Sequence, residues 1–106
     1  MELQITAVNN GTVIDHIPSE KTMKIVDLLG LTASNDRVTV AFNIDSKRNG
    51  KKGIIKIADR TLSSSELKKI AILAEEATVN IIENYKVVEK KYMTLPEILV
   101  DIIECP

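Results

Sequence analysis

The feature that most constrains how this chain folds is the order in which the spacing of its apolar residues changes. Apolar and polar residues alternate, as in strands with one buried face, over residues 3–7, 37–44, 52–57 and 78–82. Two other stretches, residues 19–29 and 63–74, carry apolar residues at the three- and four-residue spacing of a helix. The order is therefore strand, helix, strand, strand, helix, strand, and a short further strand is predicted at residues 86–89.

This order predicts an α+β fold of the ferredoxin-like, split βαβ type, with an antiparallel sheet, two helices on one face and a short extra strand. The uncovered face of such a sheet is where a ligand or partner is expected. At 106 residues the chain is long enough for one hydrophobic core. Residues 1–91 are predicted to form this domain. Residues 92–106 are predicted to be a linker and the start of another unit, because the stretch 98–104 is strongly apolar.

Local signals support both helices and the first hairpin strand. Ser63 and Glu66 have the spacing of a capping box at the start of the second helix. Ser19 is the expected N-cap of the first helix, and Gly30 is placed to end it. The predicted apolar stripe of the first helix consists of Met23, Val26, Leu28 and Leu29, with Ile25 at its margin. The residues expected to share the apolar face of the hairpin strand are Val38, Val40, Phe42 and Ile44.

Composition excludes several classes of function. A net charge of −1 gives no overall field that would attract nucleic acid or an anionic membrane. No apolar run is long enough to span a bilayer, and no secretory signal is evident at the N-terminus. The single cysteine, Cys105, cannot form an internal disulfide, which is typical of a protein kept in a reducing cytoplasm.

The only histidine lies in the segment from Gly11 to Pro18, beside Asp15. Gly11 permits backbone angles that other residues avoid, and Pro18 disfavours a helical conformation in the residue before it. The segment is therefore predicted to be a short connection that presents polar side chains between a strand and a helix. An acid–base role for Asp15 and His16 lacks a nucleophile at a suitable position, so an enzymatic role is disfavoured. From spacing alone, a binding loop and an ordinary solvated turn are equally good interpretations.

Lysines on the predicted sheet suit a small anionic ligand better than they suit nucleic acid. Lys52, Ile54 and Lys56 share the strand face that points away from the core, and Asn80 and Ile82 form the matching pair on the fourth strand. Lysines could bind phosphates while the isoleucines contact a base. RNA recognition is disfavoured because this hairpin strand has no exposed aromatic residue for stacking. From the residue pattern alone, an ordinary solvated lysine face is favoured over a ligand site.

Several segments together resemble the regulatory chain of aspartate carbamoyltransferase. They are the block Gly11-Thr12-Val13-Ile14-Asp15-His16-Ile17, then Ile54-Ile55-Lys56-Ile57, Ala77-Thr78-Val79-Asn80, Asn84-Tyr85-Lys86-Val87-Val88, and Leu95-Pro96-Glu97 leading to Cys105-Pro106. The similarity runs over the whole chain. It implies a non-catalytic subunit that binds CTP, ATP and UTP as allosteric effectors and tunes catalytic chains in pyrimidine biosynthesis.

The resemblance also implies a set of nucleotide contacts. Backbone groups of the first strand and of Tyr85 would read the base, Asp15 and His16 would lie near ribose and phosphate, and lysines would bind ribose and phosphates. The full implied set is Ile5, Thr6, Ala7, Val8, Val13, Asp15, His16, Lys52, Ile54, Lys56, Asn80, Ile82, Tyr85, Val87 and Lys90. In one continuous strand, the odd-numbered Tyr85 and Val87 would point to the face opposite the even-numbered Asn80 and Ile82. A turn or bulge is therefore expected near Asn84.

The family continues into a zinc domain with four cysteine ligands, and Cys105 matches the first of them. One thiolate cannot hold a structural Zn²⁺, so no cofactor site is complete within this chain. The implied partners are nucleoside triphosphates with or without Mg²⁺, a second regulatory chain in a homodimer, and the catalytic chain through the zinc domain. Two alternatives stay open: a structural or dimerisation module of the same topology, and a sensor of an amino-acid-like ligand.

Overall fold

A computed structural model describes residues 9–47 and 50–93 of the chain. Five strands form one sheet in the order β2-β3-β1-β4-β5, and every neighbouring pair is antiparallel. The strands are β1 (Gly11–Pro18), β2 (Val38–Ser46), β3 (Gly50–Ala58), β4 (Thr78–Glu83) and β5 (Lys86–Tyr92). The predicted α+β fold is confirmed. The strand predicted at residues 3–7 lies outside the described residues.

The two α-helices, α1 (Thr22–Leu28) and α2 (Ser64–Leu73), contribute to one core against the sheet. That core contains Ile25 and Ile70 from the helices and Ile14, Ile55 and Val79 from three adjacent strands. The predicted capping box is confirmed: the Glu66 amide donates to Ser63 Oγ at 3.1 Å, and the Ser63 amide donates to Glu66 Oε1 at 2.9 Å. None of the helices within residues 9–47 and 50–93 combines the length and the apolar character needed to cross a membrane.

The first helix starts later than the sequence suggested, and its buried face differs from the predicted one. Residues Ser19–Lys21 form a 3₁₀ turn, and α1 proper has no side-chain N-cap. Ser19 is therefore not the cap; its hydroxyl donates to Asn43 Oδ1 at 3.0 Å. The buried positions are Thr22, Ile25, Val26 and Leu29, which have the i, i+3, i+4, i+7 spacing of one helix face. The predicted positions Met23 and Leu28 are exposed. Gly30 ends the helix with φ +65°, as predicted.

The segment from Gly11 to Pro18 is not a connection: it is the central strand of the sheet. It pairs with β3 on one side and with β4 on the other. Ile14 and Ile17 are fully buried although they are three residues apart, because one extra residue is inserted in β1 between them. This β-bulge lies at Asp15 and His16, and His16 has φ 59°. The bulge hides the two-residue alternation that would have identified the strand from sequence.

A second bulge lies directly across β3 from the first. Strand β2 inserts an extra residue between Ala41 and Ile44, and Asn43 there has φ 63°. The bulge reverses the facing of the residues after it, so Ile44 pairs with Lys52 on the face without helices and Phe42 is exposed. The prediction that Phe42 and Ile44 continue the core face of Val38 and Val40 is therefore wrong. Ser19 Oγ accepts a hydrogen bond from the Asn43 amide at 2.8 Å and so links the bulge in β2 to the 3₁₀ turn that follows β1.

Arg60 forms hydrogen bonds that connect the two helices to the segment leading into β2. Its Nη1 donates to Asp36 Oδ2 at 3.1 Å, and its Nη2 donates to Glu66 Oε2 at 2.8 Å and to the Leu29 carbonyl at 3.3 Å. Burial opposes the charge on Arg60, but the hydrogen bonds from Arg60 to these two carboxylates outweigh it and raise the pKa of the guanidinium. The backbone hydrogen bond from Ser63, together with Arg60, lowers the pKa of Glu66. Arg60 thus links the end of α1, the start of β2 and the start of α2.

Candidate ligand-binding face

One face of the sheet, called the open face, carries none of the described helices. It is organised in three rows that cross several strands. Strand register defines each row, because paired residues in an antiparallel sheet point to the same face. The apolar row is Gly11, Ile82 and Val87; the lysine row is Lys56, Val13, Asn80 and Lys90; the polar row is Asp15, Thr78 and Tyr92. Neighbouring rows are two residues apart along β1, so the apolar and polar rows are separated by about 13 Å.

The lysine row brings together four residues from four strands. Val13 on the central strand pairs with Lys56 on one side and with Asn80 on the other, and Asn80 pairs with Lys90 on the edge strand. Asn80 is buried, and its Nδ2 donates to the Val13 carbonyl at 3.2 Å, which fixes the orientation of the amide. Neither Lys56 nor Lys90 forms an ion pair within the described residues. Two uncompensated positive charges therefore flank an apolar and an amide group.

The apolar row lies beside a tight turn at one end of the open face. Ile82 is buried and Val87 is half-exposed, and the two are register partners. Asn84 and Tyr85 form the turn between β4 and β5 with φ 52° and 65°, so the turn expected near Asn84 is confirmed. One extra residue in β5 then brings Val87 and Lys90 to the same face, as the parity of the sequence required. The Tyr85 amide donates to the Asn9 carbonyl at 2.9 Å, which fixes the turn against the start of β1.

His16 lies beside the polar row and contacts one of its members. His16 Nδ1 lies 3.2 Å from Thr78 Oγ1, and Thr78 is the register partner of both Asp15 and Tyr92. Asp15 Oδ1 accepts a hydrogen bond from the His16 amide at 2.6 Å. The bulge thus places the carboxylate of one residue and the imidazole of the next at the same part of the open face. The strand, rather than a loop, positions this pair.

Lys52 lies beyond the polar row and is paired with an acid. Its Nζ is 3.0 Å from Asp15 Oδ1, and each of the two side chains is 23% exposed. A cleft of ≈ 190 Å³ opens at this end of the sheet. Its lining includes His16, Pro18, Lys51 and Lys52, with Glu20 and Glu76 among the acids. Lys52 therefore differs from Lys56 and Lys90, because part of its charge is already neutralised.

The structure brings together the described members of the sequence-predicted set. Val13, Asp15, His16, Lys56, Asn80, Ile82, Val87 and Lys90 lie in or beside the three rows, Ile54 lies on β3 opposite the bulge, and Lys52 and Tyr85 lie at the two ends. Ile5, Thr6, Ala7, Val8 and Cys105 lie outside the described residues. The sequence interpretation missed Thr78 and Tyr92 as members of the polar row. Thr78 alternates in step with Asn80 and Ile82, so counting along β4 would have found it. Tyr92 could be placed on this face only if the extra residue in β5 had been known.

The arrangement suits an elongated ligand with an apolar end and an anionic end. Apolar side chains lie at one end, lysines without an ion pair to any described residue lie in the middle, and a histidine with hydrogen-bonding groups lies at the other end. Within residues 9–47 and 50–93, no cluster of three or more His, Cys, Asp or Glu side chains could hold a metal ion. The open face therefore has the chemistry of a binding site that orients an anion.

Comparison with known proteins identifies the family. Residues 3–94 match the family described as aspartate carbamoyltransferase regulatory chain, allosteric domain. An aspartate carbamoyltransferase regulatory chain from Bacteroides fragilis is 50% identical over 103 residues, which cover 97% of this chain and 67% of that relative. A protein of the same description from Thermococcus gammatolerans is 45% identical over 106 residues, covering 99% of this chain and 70% of the relative.

The chain thus spans about two thirds of the length of these curated relatives, 67% of one and 70% of the other. The family match includes all five strands and both helices, and hence every row of the open face. The chain therefore belongs to the family of aspartate carbamoyltransferase regulatory chains and contains their allosteric domain.

Proposed function

We propose that the open face binds nucleoside triphosphates, CTP, ATP and UTP, as allosteric effectors, and that the chain itself is not catalytic. The observation that carries this proposal is the lysine row. Lys56 and Lys90 have no ion-pair partner within the described residues, and they lie between an apolar row and a polar row. The separation of those rows, about 13 Å, suits a ligand that has a base at one end and phosphates at the other.

The three rows assign parts of the ligand. Ile82 and Val87 would pack on the base, and the polar row with His16 would receive the phosphates. Lys56 and Lys90, between them, would contact ribose and phosphate oxygens as point charges. The backbone of residues 5–8 and of Tyr85 would read the edge of the base. The hydrogen bond from the Tyr85 amide to the Asn9 carbonyl supports this assignment. It holds the β4–β5 turn next to Asn9, which directly follows residues 5–8 in the sequence.

Effectors that share one site can have opposite effects only if they favour different global states of the enzyme. Both CTP and ATP would place triphosphates on the same lysines, so the difference must come from the base end. A coupling free energy of about 1–3 kcal/mol is typical of such regulation. The route for this signal would be the C-terminal end of β5, because the strand holding Lys90 leads directly to Met93 and the segment beyond.

The wider assembly is proposed from the family. Residues 1–91, together with Tyr92 at the end of β5, would form the effector domain, and the residues that follow would lead into a zinc domain in which Cys105 is the first Zn²⁺ ligand. That domain would contact the catalytic chain, and two regulatory chains would form a homodimer in the cytoplasm. This chain would then tune the first committed reaction of pyrimidine biosynthesis without carrying any of its chemistry.

Isothermal titration calorimetry of the chain with CTP and with ATP tests the proposal. Each nucleotide should bind, each should displace the other, and both affinities should fall as salt is raised because phosphate contacts dominate. At about 100 times its dissociation constant, a nucleotide should also stabilise the fold by about 2.7 kcal/mol. Absence of binding by both nucleotides would refute the proposal. Stabilisation by free amino acids instead would favour a sensor of another class.

A further inference from the structure

Tyr92 occupies a position on the open face that the sequence did not assign to the site. It ends β5, pairs with Thr78 in register, and lies two residues beyond Lys90 on the same face. Its residue surface is 51% exposed, and its hydroxyl makes no hydrogen bond to any described residue. Among the described residues, this phenol lies on the outermost strand beside a lysine without an ion pair, and none of these residues bonds its hydroxyl.

The charges around the polar row explain why a neutral donor matters there. Asp15 contributes a negative charge, and its carboxylate is already bonded to Lys52 at 3.0 Å. Thr78, the other neutral donor of the row, is buried and its hydroxyl lies 3.2 Å from His16 Nδ1. A phosphate entering this row would lie near the Asp15 carboxylate, and the charge of Lys52 would be divided between that carboxylate and the phosphate. A phenolic O–H donates to a phosphate oxygen without adding charge.

We propose that Tyr92 is a further binding residue, whose Oη donates a hydrogen bond to the terminal phosphate of the bound nucleotide. The inference rests on the proposed nucleotide site and adds a property to it: discrimination by the number of phosphates. The lysine row, nearer the apolar end, contacts the first phosphate in every nucleotide. Only a chain of several phosphates extends to the polar row and reaches Tyr92, so a monophosphate does not use this hydrogen bond.

The test compares CTP and CMP binding to the intact chain and to its Tyr92→Phe variant by isothermal titration calorimetry. Removing the hydroxyl should weaken CTP binding about three- to tenfold and leave CMP binding unchanged, because a partly exposed hydrogen bond to a charged group is lost only for the longer ligand. A Ser65→Ala variant, which removes an exposed hydroxyl on α2 away from the open face, is the control and should bind both nucleotides as the unmodified chain does.

The outcomes separate this inference from the proposed function. If the unmodified chain binds neither nucleotide, the proposed site itself fails. If it binds CTP and the Tyr92→Phe variant binds CTP equally well, Tyr92 is not a phosphate contact. An equal loss for CTP and CMP would also overturn the inference, since the hydroxyl would then act on a part common to both ligands. A loss confined to a Tyr92→Leu variant would show that ring packing, not the hydroxyl, is used.

Discussion

Replacing Lys56 by methionine is the most informative single perturbation of the lysine row. Methionine keeps much of the apolar stem of lysine and removes only its charged end. Lys56 is half-buried on β3 and pairs with Val13, and it forms no ion pair within the described residues. Its charge therefore stabilises no other described group, and the fold should not depend on it.

The expected effect on binding follows from the loss of one charge-assisted contact. Such a contact contributes about 1.5–3 kcal/mol, so the affinity for CTP should fall about tenfold to a hundredfold. Isothermal titration at two salt concentrations should also show a weaker salt dependence, because one cation no longer contacts the ligand. The free energy of unfolding, measured with urea in the absence of nucleotide, should stay within about 0.5 kcal/mol of that of the unmodified chain.

A Lys69→Met variant is the matched control, because Lys69 is an exposed lysine on α2. It should bind CTP with unchanged affinity. The role of Lys56 is refuted if Lys56→Met binds CTP as tightly as the unmodified chain, or if Lys69→Met weakens binding as much. The first result would remove Lys56 from the site, and the second would show that general attraction by lysines, and not the lysine row, accounts for nucleotide binding.

Three further predictions concern the fold that supports the open face. Gly53→Ala should lower the free energy of unfolding by about 1–3 kcal/mol, because an added Cβ would overlap Thr22 Oγ1, and a second substitution, Thr22→Ala, should recover part of the loss in urea titrations. Arg60→Met should cost about 1–3 kcal/mol by breaking its bonds to Asp36 and Glu66. Because the pKa of Glu66 is lowered in the folded chain, its stabilisation is present above the ordinary glutamate pKa and is lost as pH falls through the lowered one. The difference in free energy of unfolding between the unmodified chain and Glu66→Gln should therefore shrink in urea titrations as the pH is lowered through that range. A difference that stays constant would contradict a lowered pKa of Glu66 in the folded chain.

Elements defined by local interactions could be predicted from the sequence. The capping box at Ser63 and Glu66 involves residues three apart, so the start of α2 followed from residue types alone. The parity of Lys52 and Lys56 was also correct, because β3 itself contains no extra residue. Where a strand is regular, alternation determines which side chains share a face.

The errors came from places where the backbone departs from regular geometry. Bulges at His16 and Asn43 each insert a residue, so alternation failed in β1 and in the second half of β2. The 3₁₀ turn beginning at Ser19 shifted the start of α1. Such departures depend on tertiary contacts, for example the hydrogen bonds between Ser19 and Asn43, which no local pattern reveals.

The candidate site shows the same division. Sequence parity placed Asn80 and Ile82 on the open face, but it could not show that Asn80 lies between Val13 and Lys90. That neighbourhood depends on the register of three strands, and the register depends on the bulges. Tyr92 was missed for this reason, because one extra residue in β5 decides which face its side chain joins.

The most direct test of effector binding on the open face is a map of amide chemical shifts in the ¹⁵N-labelled chain during titration with CTP. We expect shifts concentrated in β1, the second half of β3, β4 and β5, including the amides of Val13, Lys56, Asn80 and Lys90, with small changes at α1 and α2. Shifts confined to the helices, or no shifts at saturating CTP, would contradict binding on this face.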